Sequence, residues 1–390
     1  MAVPPHVSQL LSDLIALPSV NPEHNTECTG HPYGERRVAD YVQNYFEPFD
    51  VRIERQQVLP DRDNVLVHVP GADASAPPLL LEAHMDTVGG QGMKDPFVPR
   101  VGRGRVYGRG ASDTKGSLAA MMTAVCELLA EGAVLPRGCV LAATADEEFG
   151  MTGAQHLVAS GTAFSAAIVG EPTALKVVSA HDGQMYLKIA AHGQAAHTSN
   201  PQHGVNAIYI MNDVIDVLRR RADATYPQRQ HPLCGSPKLT VSIIHGGVSE
   251  HIVPDLCEMT IDCRVIPGET CQQVLQEIKR WLAEDLDSAT LQRIEFAVPH
   301  KAVPPIDTPV HHPLVQGLRW AAESVLGEAE IAGVAYNTDA SHYGAAGIPC
   351  VVFGPGDIAQ AHGPKEYVHI EELTAAVEIL RLFLQEDASR

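Results

Sequence analysis

Short apolar segments alternate with helical segments in the first part of the chain, and this alternation limits the possible folds more than any other feature. The segments NVLVHV, PLLLEAH, CVLAATA and AAIVG have the length and composition of buried strands, and SLAAMMTAVCELLAEG has those of a helix. Strands that alternate with helices form a sheet of mainly parallel strands. The sequence therefore predicts an α/β fold with a mainly parallel sheet.

The pattern changes after residue 180. Strand-like and helix-like segments then follow in the order β-α-β-β-α-β: MYLKIAAHG, NAIYIMNDVIDVLRRR, KLTVSIIHGG, CEMTIDCRVIP, TCQQVLQEIKRWLAE and LQRIEFAV. This is the order of a ferredoxin-like α+β unit, which is complete in itself. We therefore predict an α/β domain in two parts, residues 1–180 and 301–390, with a ferredoxin-like domain inserted at residues 181–300.

The composition argues against several classes of protein. A formal net charge of −19 disfavours binding to nucleic acid or to an anionic membrane surface. The eight cysteines include no CxxC pair, so neither a zinc ribbon nor a disulfide framework is predicted, and a reducing compartment fits best. The N-terminus lacks the pattern of a signal peptide, and no apolar run approaches the roughly 20 residues that span a bilayer. We expect a soluble cytoplasmic protein.

Four strand-like segments end in residues that can bind a metal ion. In chain order these residues are His84 and Asp86, then Asp146, Glu147 and Glu148, then Glu171, and finally His362. A single histidine at such a position is more often structural. The carboxyl ends of parallel strands line one crevice, however, so residues far apart in the sequence can meet there. Histidines and carboxylates without cysteine suit zinc or a similar divalent ion.

Asp113 lies in the glycine-containing loop YGRGASDTKGS, directly before a predicted helix. A phosphate-binding loop is one alternative, but Lys115-Gly116-Ser117 inverts the order of a G-K-[ST] ending, and Asp113 stands where a third glycine would be needed. A helix cap is a second alternative and stays open at this point. A carboxylate that bridges two ions would make the site dinuclear and suited to hydrolysis.

Several stretches, in this order, resemble one family of enzymes. They are PSVNP, HMDTV, YGRGASDTKG, DEEFG, GEPT, AAHTSNP, DCRVIPGET and GPGDIAQAHGPKEYV. The chain is similar along nearly its full length to the dinuclear zinc family of acetylornithine deacetylase, succinyl-diaminopimelate desuccinylase, aminoacylase and glutamate-type carboxypeptidases. The resemblance implies that the α/β domain is catalytic, that the inserted domain is a lid and dimerisation domain, and that the protein is a homodimer.

The resemblance also implies a set of ligands for two zinc ions per chain, for which Co²⁺ or Mn²⁺ can substitute. Asp113 would be the bridging ligand. His84 and Glu171 would bind one ion, and Glu148 and His362 would bind the other.

Further residues receive roles from the same resemblance. Asp86 would hold the ligating imidazole in the correct tautomer, and Glu147 would be the general base. His197, in AAHTSNP, would donate a hydrogen bond to the oxyanion in the partner chain's site, and Arg264 would bind the carboxylate of the substrate. Purely structural roles stay open for His197 and Arg264. Asp146 is expected to be a solvated residue of an acidic turn.

Two segments depart from the family pattern. His251 stands where members of the family commonly have asparagine, and the loop from Tyr336 to Tyr343 matches no subfamily. Both are expected to influence the choice of substrate, so the acyl group and the amino acid stay open.

The sequence thus predicts a cytoplasmic, homodimeric zinc hydrolase that cleaves the amide bond of N-acyl-L-amino acids, similar to acetylornithine deacetylase. The alternative at the same site is a metallo-exopeptidase, either a dipeptidase or a carboxypeptidase, because a dipeptide also has an amide next to a carboxylate. A metal-dependent binding protein with an inactive site is a third alternative. The expected partners are a small-molecule substrate and a second copy of the chain, with no nucleic acid and no membrane.

Overall fold

The computed structural model describes residues 6–23, 33–90 and 92–386. The chain divides into two compact units. The first comprises Met1–Ser179, Thr308–Ala332 and Thr338–Arg390, and the second comprises Ala180–Asp307 and Gly333–Asn337. That each unit folds as a separate domain stays a prediction.

Helices and strands cover most of the described residues. The helices are α1 (Val7–Ile15), α2 (Arg36–Phe46), α3 (Lys115–Glu131), α4 (Thr152–Ala159), α5 (Ala207–Thr225), α6 (Cys271–Asp285), α7 (Ser288–Leu291), α8 (Pro313–Leu326), α9 (Ala340–Ala345) and α10 (Ile370–Gln385). The strands are β1 (Arg52–Leu59), β2 (Arg62–Val69), β3 (Leu79–His84), β4 (Arg100–Gly102), β5 (Arg105–Tyr107), β6 (Cys139–Thr144), β7 (Ala166–Val169), β8 (Val177–His181), β9 (Gly183–His192), β10 (Lys238–Gly246), β11 (Leu256–Val265), β12 (Ile294–Phe296), β13 (Lys301–Val303), β14 (Ile306–Asp307), β15 (Ile331–Val334), β16 (Cys350–Val352) and β17 (Tyr367–His369). In the described part of the chain, no helix has the length and apolar character needed to span a bilayer.

The main sheet of the first unit has the strand order β1-β2-β6-β3-β7-β16-β8. Its four central strands, β6, β3, β7 and β16, are parallel, and antiparallel strands flank them on both sides. Every residue of β3 and of β6 is buried. Strands that are covered on both faces have nearly continuous apolar sequences, as these two do. The predicted α/β class is confirmed.

Helix α3 fills the core beside this sheet. It packs against α1, α10 and β3, and its residues are buried on all sides from Lys115 to Cys126. A helix that is apolar all round belongs in the interior. The ammonium group of buried Lys115 donates to the carbonyl oxygens of Leu14 at 3.0 Å and Leu17 at 2.7 Å. These bonds fasten the segment that follows Asp113 to the end of α1.

The parallel strands place their carboxyl ends on one edge of the sheet. His84 is the last residue of β3 and lies opposite Thr144, the last residue of β6. The neighbouring strand β7 ends at Val169, shortly before Glu171. The segments that follow these strands therefore leave the sheet side by side, which is where α/β proteins place their ligand sites.

The second unit contains a sheet with the strand order β10-β11-β9-β12, in which β13 also pairs with β9. The chain order β9-α5-β10-β11-α6-β12 on this sheet is the predicted ferredoxin-like arrangement. Buried and more exposed residues alternate along β11, because one face of the sheet packs against α5 and α6. A capping box between Thr270 and Gln273 begins α6, and Trp281 of this helix is buried in the core.

Candidate metal centre

Asp113 presents its two carboxylate oxygens to two different histidines. Its Oδ1 lies 3.1 Å from Nε2 of His84, and its Oδ2 lies 3.1 Å from Nε2 of His362. Asp113 and His84 are buried, whereas the side chain of His362 is 53% exposed. A carboxylate between two imidazoles can serve as a ligand that is shared by two ions.

Three glutamates complete the cluster. Oε2 of Glu148 lies 3.2 Å from Nε2 of His362, and Oε1 of Glu171 lies 3.9 Å from Nε2 of His84. Two sets of side chains each place their ligand atoms within 4.8 Å of one another: His84, Asp113 and Glu148, and His84, Glu147 and Glu171. The structure therefore brings the five residues named as ligands together with Glu147, in the first unit.

Negative charge exceeds positive charge in this cluster. Burial raises the pKa of Glu171 well above its usual value, and the charge of Asp113 raises it further. The same two causes raise the pKa of Glu148. Hydrogen bonds to Asp113 and Glu148 raise the pKa of His362 to about 11. Divalent cations would supply the missing positive charge, and donor atoms from imidazole and carboxylate groups suit zinc or a similar ion.

Asp86 positions both the imidazole of His84 and the turn that carries Glu147 and Glu148. Nδ1 of His84 lies 3.0 Å from the backbone oxygen of Asp86 and 3.5 Å from its Oδ1. Since a carbonyl oxygen can only accept, Nδ1 carries the proton and Nε2 has a lone pair to offer an ion. The carboxylate of Asp86 accepts the backbone N–H groups of Glu147 and Glu148, each at 3.1 Å. Asp86 thereby positions the acidic turn as well as the imidazole.

The expectation that Asp146 is solvated is wrong, because this residue is only 3% exposed. Its Oδ1 accepts a hydrogen bond from Asn21 at 2.9 Å and lies 3.0 Å from Nη2 of Arg62. Arg62 also pairs with Glu35, whose Oε1 accepts the backbone N–H of Asp146 at 3.1 Å. This buried network anchors the turn that carries Glu147.

Arg109 and Glu366 hold the centre together, and the sequence did not predict them. Oε1 of Glu366 accepts the backbone N–H groups of Ser112 at 2.9 Å and Asp113 at 3.0 Å. Its Oε2 accepts a hydrogen bond from Arg109, which also donates to the carbonyl oxygen of Gly363. Both residues lie inside stretches that carry the family resemblance. Nothing in the sequence, however, pairs two residues that are 257 positions apart.

Glu82 and Asp339 form a further group of buried acids in the first unit. The hydroxyl of Thr144 donates to Glu82 and lies 3.5 Å from Oδ2 of Asp339. Burial raises the pKa of Glu82 to about 7 and the pKa of Asp339 well above its usual value. Asp339 belongs to the segment from Tyr336 to Tyr343, so part of that unassigned segment is core.

His197 belongs to the second unit and is exposed. Its Nδ1 accepts the backbone N–H of Ser199 at 3.1 Å. The proton of a neutral imidazole is then on Nε2, which can act as a hydrogen-bond donor. The carbonyl oxygen of His251 accepts the N–H of Thr198 at 3.1 Å. His251, which departs from the family pattern, thus lies beside His197.

Arg264 also belongs to the second unit. It donates to Oδ2 of Asp262 at 2.9 Å and to the carbonyl oxygen of Ala335 at 3.2 Å. The guanidinium group has five N–H donors, so these two bonds leave donors for a carboxylate. The guanidinium group of Arg264 is, however, already in an ion pair with Asp262.

Comparisons with known proteins agree on one family. Residues 80–386 match the sequence pattern of Peptidase family M20/M25/M40. Acetylornithine deacetylase from Edwardsiella ictaluri is 33% identical over 374 residues, which cover 93% of this chain and 93% of that protein. Among solved structures, the M20 family metallo-carboxypeptidase Sso-CP2 from Sulfolobus solfataricus has a TM-score of 0.78 at 19% identity, with 98% of this chain and 99% of that chain covered. The YXEP protein of Bacillus subtilis, a dinuclear metal-binding peptidase of the M20 family, has a TM-score of 0.70 at 16% identity, with coverages of 97% and 96%. At these identities the structural likeness shows the fold.

Proposed function

The chain belongs to Peptidase family M20/M25/M40, and we propose that within this family it is a deacylase that removes the acyl group of an N-acyl-L-amino acid. The reaction is metal-dependent hydrolysis of an amide bond. The observation that carries the proposal is the carboxylate of Asp113 between Nε2 of His84 and Nε2 of His362. The similarity to acetylornithine deacetylases along the chain selects the class of substrate.

We assign two zinc ions per chain to the centre, with Co²⁺ or Mn²⁺ able to replace them. His84 and Glu171 would bind one ion, Glu148 and His362 would bind the other, and Asp113 would bind both. When bound, such ions lower the pKa of a water molecule and polarise the carbonyl group of the amide.

Glu147 is the proposed general base. Its Oε2 lies 4.0 Å from Nε2 of His84, so the carboxylate reaches the centre, and its backbone N–H is fixed by Asp86. In this role Glu147 accepts a proton from the attacking water and delivers it to the nitrogen of the leaving amine. The products are a carboxylate and a free amino group.

We propose that the protein forms a homodimer through a surface of the second unit. β10 is an edge strand of its sheet, and Ile243 and Ile244 on this strand are 50% and 49% exposed. Tyr209 on α5 is 71% exposed. An exposed edge strand with apolar side chains favours pairing with another strand, and a two-fold axis would pair it with its own copy.

His197 and Arg264 are proposed to act on the substrate. The Nε2–H group of His197 suits the role of oxyanion donor in the partner chain's site. Arg264 would bind the carboxylate of the substrate, because a planar guanidinium can form two parallel hydrogen bonds to it.

We also propose that the protein works in the cytoplasm, since all seven described cysteines are free thiols, which suits a reducing compartment.

A panel of substrates tests this function. Zinc-loaded protein would be incubated with N-acetyl-L-ornithine, with other N-acetyl-L-amino acids, with their carboxamides and with the matched dipeptides, and the products would be measured by mass. We expect kcat/KM for the preferred N-acetyl amino acid to exceed that for any dipeptide by at least about tenfold, as a difference of about 1.4 kcal/mol in the barrier requires. A higher value for dipeptides would instead identify an exopeptidase.

A further inference from the structure

The small sheet formed by β4, β5 and β17 has two different faces. Arg100 pairs with Tyr107, and Tyr107 pairs with Tyr367, so these three side chains share one face. Arg105 lies two residues before Tyr107 and therefore points to the same side. The opposite face carries buried valines of β5 and β17 and packs into the core of the first unit. The outward face thus combines cations with aromatic rings.

The arginines on this outward face are held by the tyrosine rings. The guanidinium carbon of Arg105 lies 4.3 Å from the centre of the Tyr367 ring, and that of Arg100 lies 5.7 Å from the centre of the Tyr107 ring. A cation held over a ring keeps its N–H groups available for a ligand. The arginines are therefore partly oriented before any ligand arrives.

These side chains line a cavity of about 290 Å³, together with Lys94 and Lys365. Within the described residues, none of the four cations Lys94, Arg100, Arg105 and Lys365 forms an ion pair with a carboxylate. Two acidic residues lie at the same cavity. Asp95 is exposed, whereas the carboxylate of Glu366 is buried and is already bound by Arg109 and by two backbone N–H groups. The cavity is thus strongly positive in a chain whose net charge is −19.

We propose that this cavity binds a small oxyanion with at least two negative charges. Its volume is near the lower end of the range for small-molecule sites, and its concave shape suits a compact ligand. An extended polyanion would be repelled by the net negative charge of the chain. A small ion in the cavity responds mainly to the nearby charges that line it, and these are four cations, the exposed carboxylate of Asp95 and the already paired carboxylate of Glu366. Carboxylate and phosphate groups share this chemistry, and both match arginine.

Ethane-1,2-disulfonate is a suitable probe, because sulfonates are oxyanions that bind metal ions poorly. Metal-loaded protein would be titrated with it in a calorimeter at constant ionic strength. We expect one saturable site per chain. The double variant Arg105→Gln/Lys365→Gln should weaken binding by at least about tenfold, as expected when two charge-assisted hydrogen bonds are lost. The cations are at the surface, and an unchanged Tm would show that the variant is folded.

A second double variant controls for charge alone. Arg36→Gln/Lys176→Gln removes two exposed cations that are paired with Asp61 and Glu330, and it should leave the affinity within about twofold. Equal weakening in both double variants, or no saturable binding to the wild type, would overturn the proposal. Displacement of the probe by succinate or by methylphosphonate would distinguish a carboxylate ligand from a phosphoryl ligand. If neither succinate nor methylphosphonate displaced the probe and only heparin did, the proposal of a site for a small oxyanion would also be contradicted.

Discussion

The carboxylate of Glu366 accepts the backbone N–H of Asp113 at 3.0 Å. The same oxygen accepts the N–H of Ser112, and the other oxygen is bound by buried Arg109. A buried ion pair therefore holds the proposed bridging ligand by its backbone. Both carboxylate oxygens of Asp113 remain directed at histidines.

Replacing Glu366 with glutamine should weaken metal binding as well as stability. Arg109 would lose its buried charge partner, which costs about 3–5 kcal/mol of unfolding free energy, and the NH2 group of the new amide would face a donor in either orientation, the two backbone N–H groups or the guanidinium of Arg109. We expect metal affinity, measured by chelator competition well below the unfolding temperature, to fall by roughly 10–100-fold. The exposed Glu378 provides the control, because Glu378→Gln removes the same charge and should change neither quantity. A loss of stability with unchanged metal affinity would show that Glu366 has only a structural role.

The main parts of the fold and the meeting of the residues at the strand ends followed from local sequence, whereas Asp113 was assigned to the centre only by the family resemblance. β3 and β6 have continuous apolar sequences, and parallel strands must end on the same edge, so His84 and the acidic turn had to be neighbours. The burial of Asp146 could not be predicted in this way. It depends on Asn21 and Arg62, which are distant in sequence and approach only through tertiary packing. The same holds for the pair of Arg109 and Glu366.

Glu147 and Glu148 are adjacent but should respond differently to the same substitution. Glu147→Gln keeps the shape of the side chain but cannot accept a proton, so kcat should fall by at least about 10² while the metal content is unchanged. Glu148→Gln should instead weaken the binding of one ion. Elemental analysis and steady-state kinetics on both variants check this pair of predictions. The reverse pattern would exchange the two roles.

His181 should make the protein less stable in acid. The residue is buried, its Nδ1 lies 2.9 Å from the carbonyl oxygen of Asp182, and burial lowers its pKa from 6.5 to about 4. Below pH 6.5 the unfolded chain therefore binds a proton that the folded chain excludes. The free energy of unfolding should fall as the pH falls from 6.5 to 4, by up to about 3 kcal/mol from this group.

Urea unfolding at a series of pH values tests this effect. The free energy of unfolding of His181→Gln should depend less steeply on pH than that of the wild type between pH 6.5 and 4. His203→Gln replaces an exposed histidine instead, and its free energy of unfolding should depend on pH as steeply as that of the wild type. If His181→Gln kept the full slope, the effect would have to be assigned to other groups.

His197 is predicted to complete the site of the partner chain. Homodimers of Glu147→Gln and of His197→Ala should each be nearly inactive, the second because the oxyanion loses a donor. In a mixed dimer, the chain with intact Glu147 receives an intact His197 from its partner, so one of two sites is whole. Random exchange makes about half of the dimers mixed, which predicts recovery of about a quarter of wild-type activity. No recovery, with exchange verified by mass, would place His197 in the site of its own chain.

The arrangement of the metal ions tests the central claim most directly. Crystals of zinc-loaded protein would be measured with X-rays on both sides of the zinc absorption edge, and the anomalous difference map would be calculated. We predict two peaks per chain, about 3.5–4 Å apart, with one carboxylate oxygen of Asp113 bound to each. His84 and Glu171 should contact one peak, and Glu148 and His362 the other. A single peak, or two peaks that Asp113 does not join, would contradict the account.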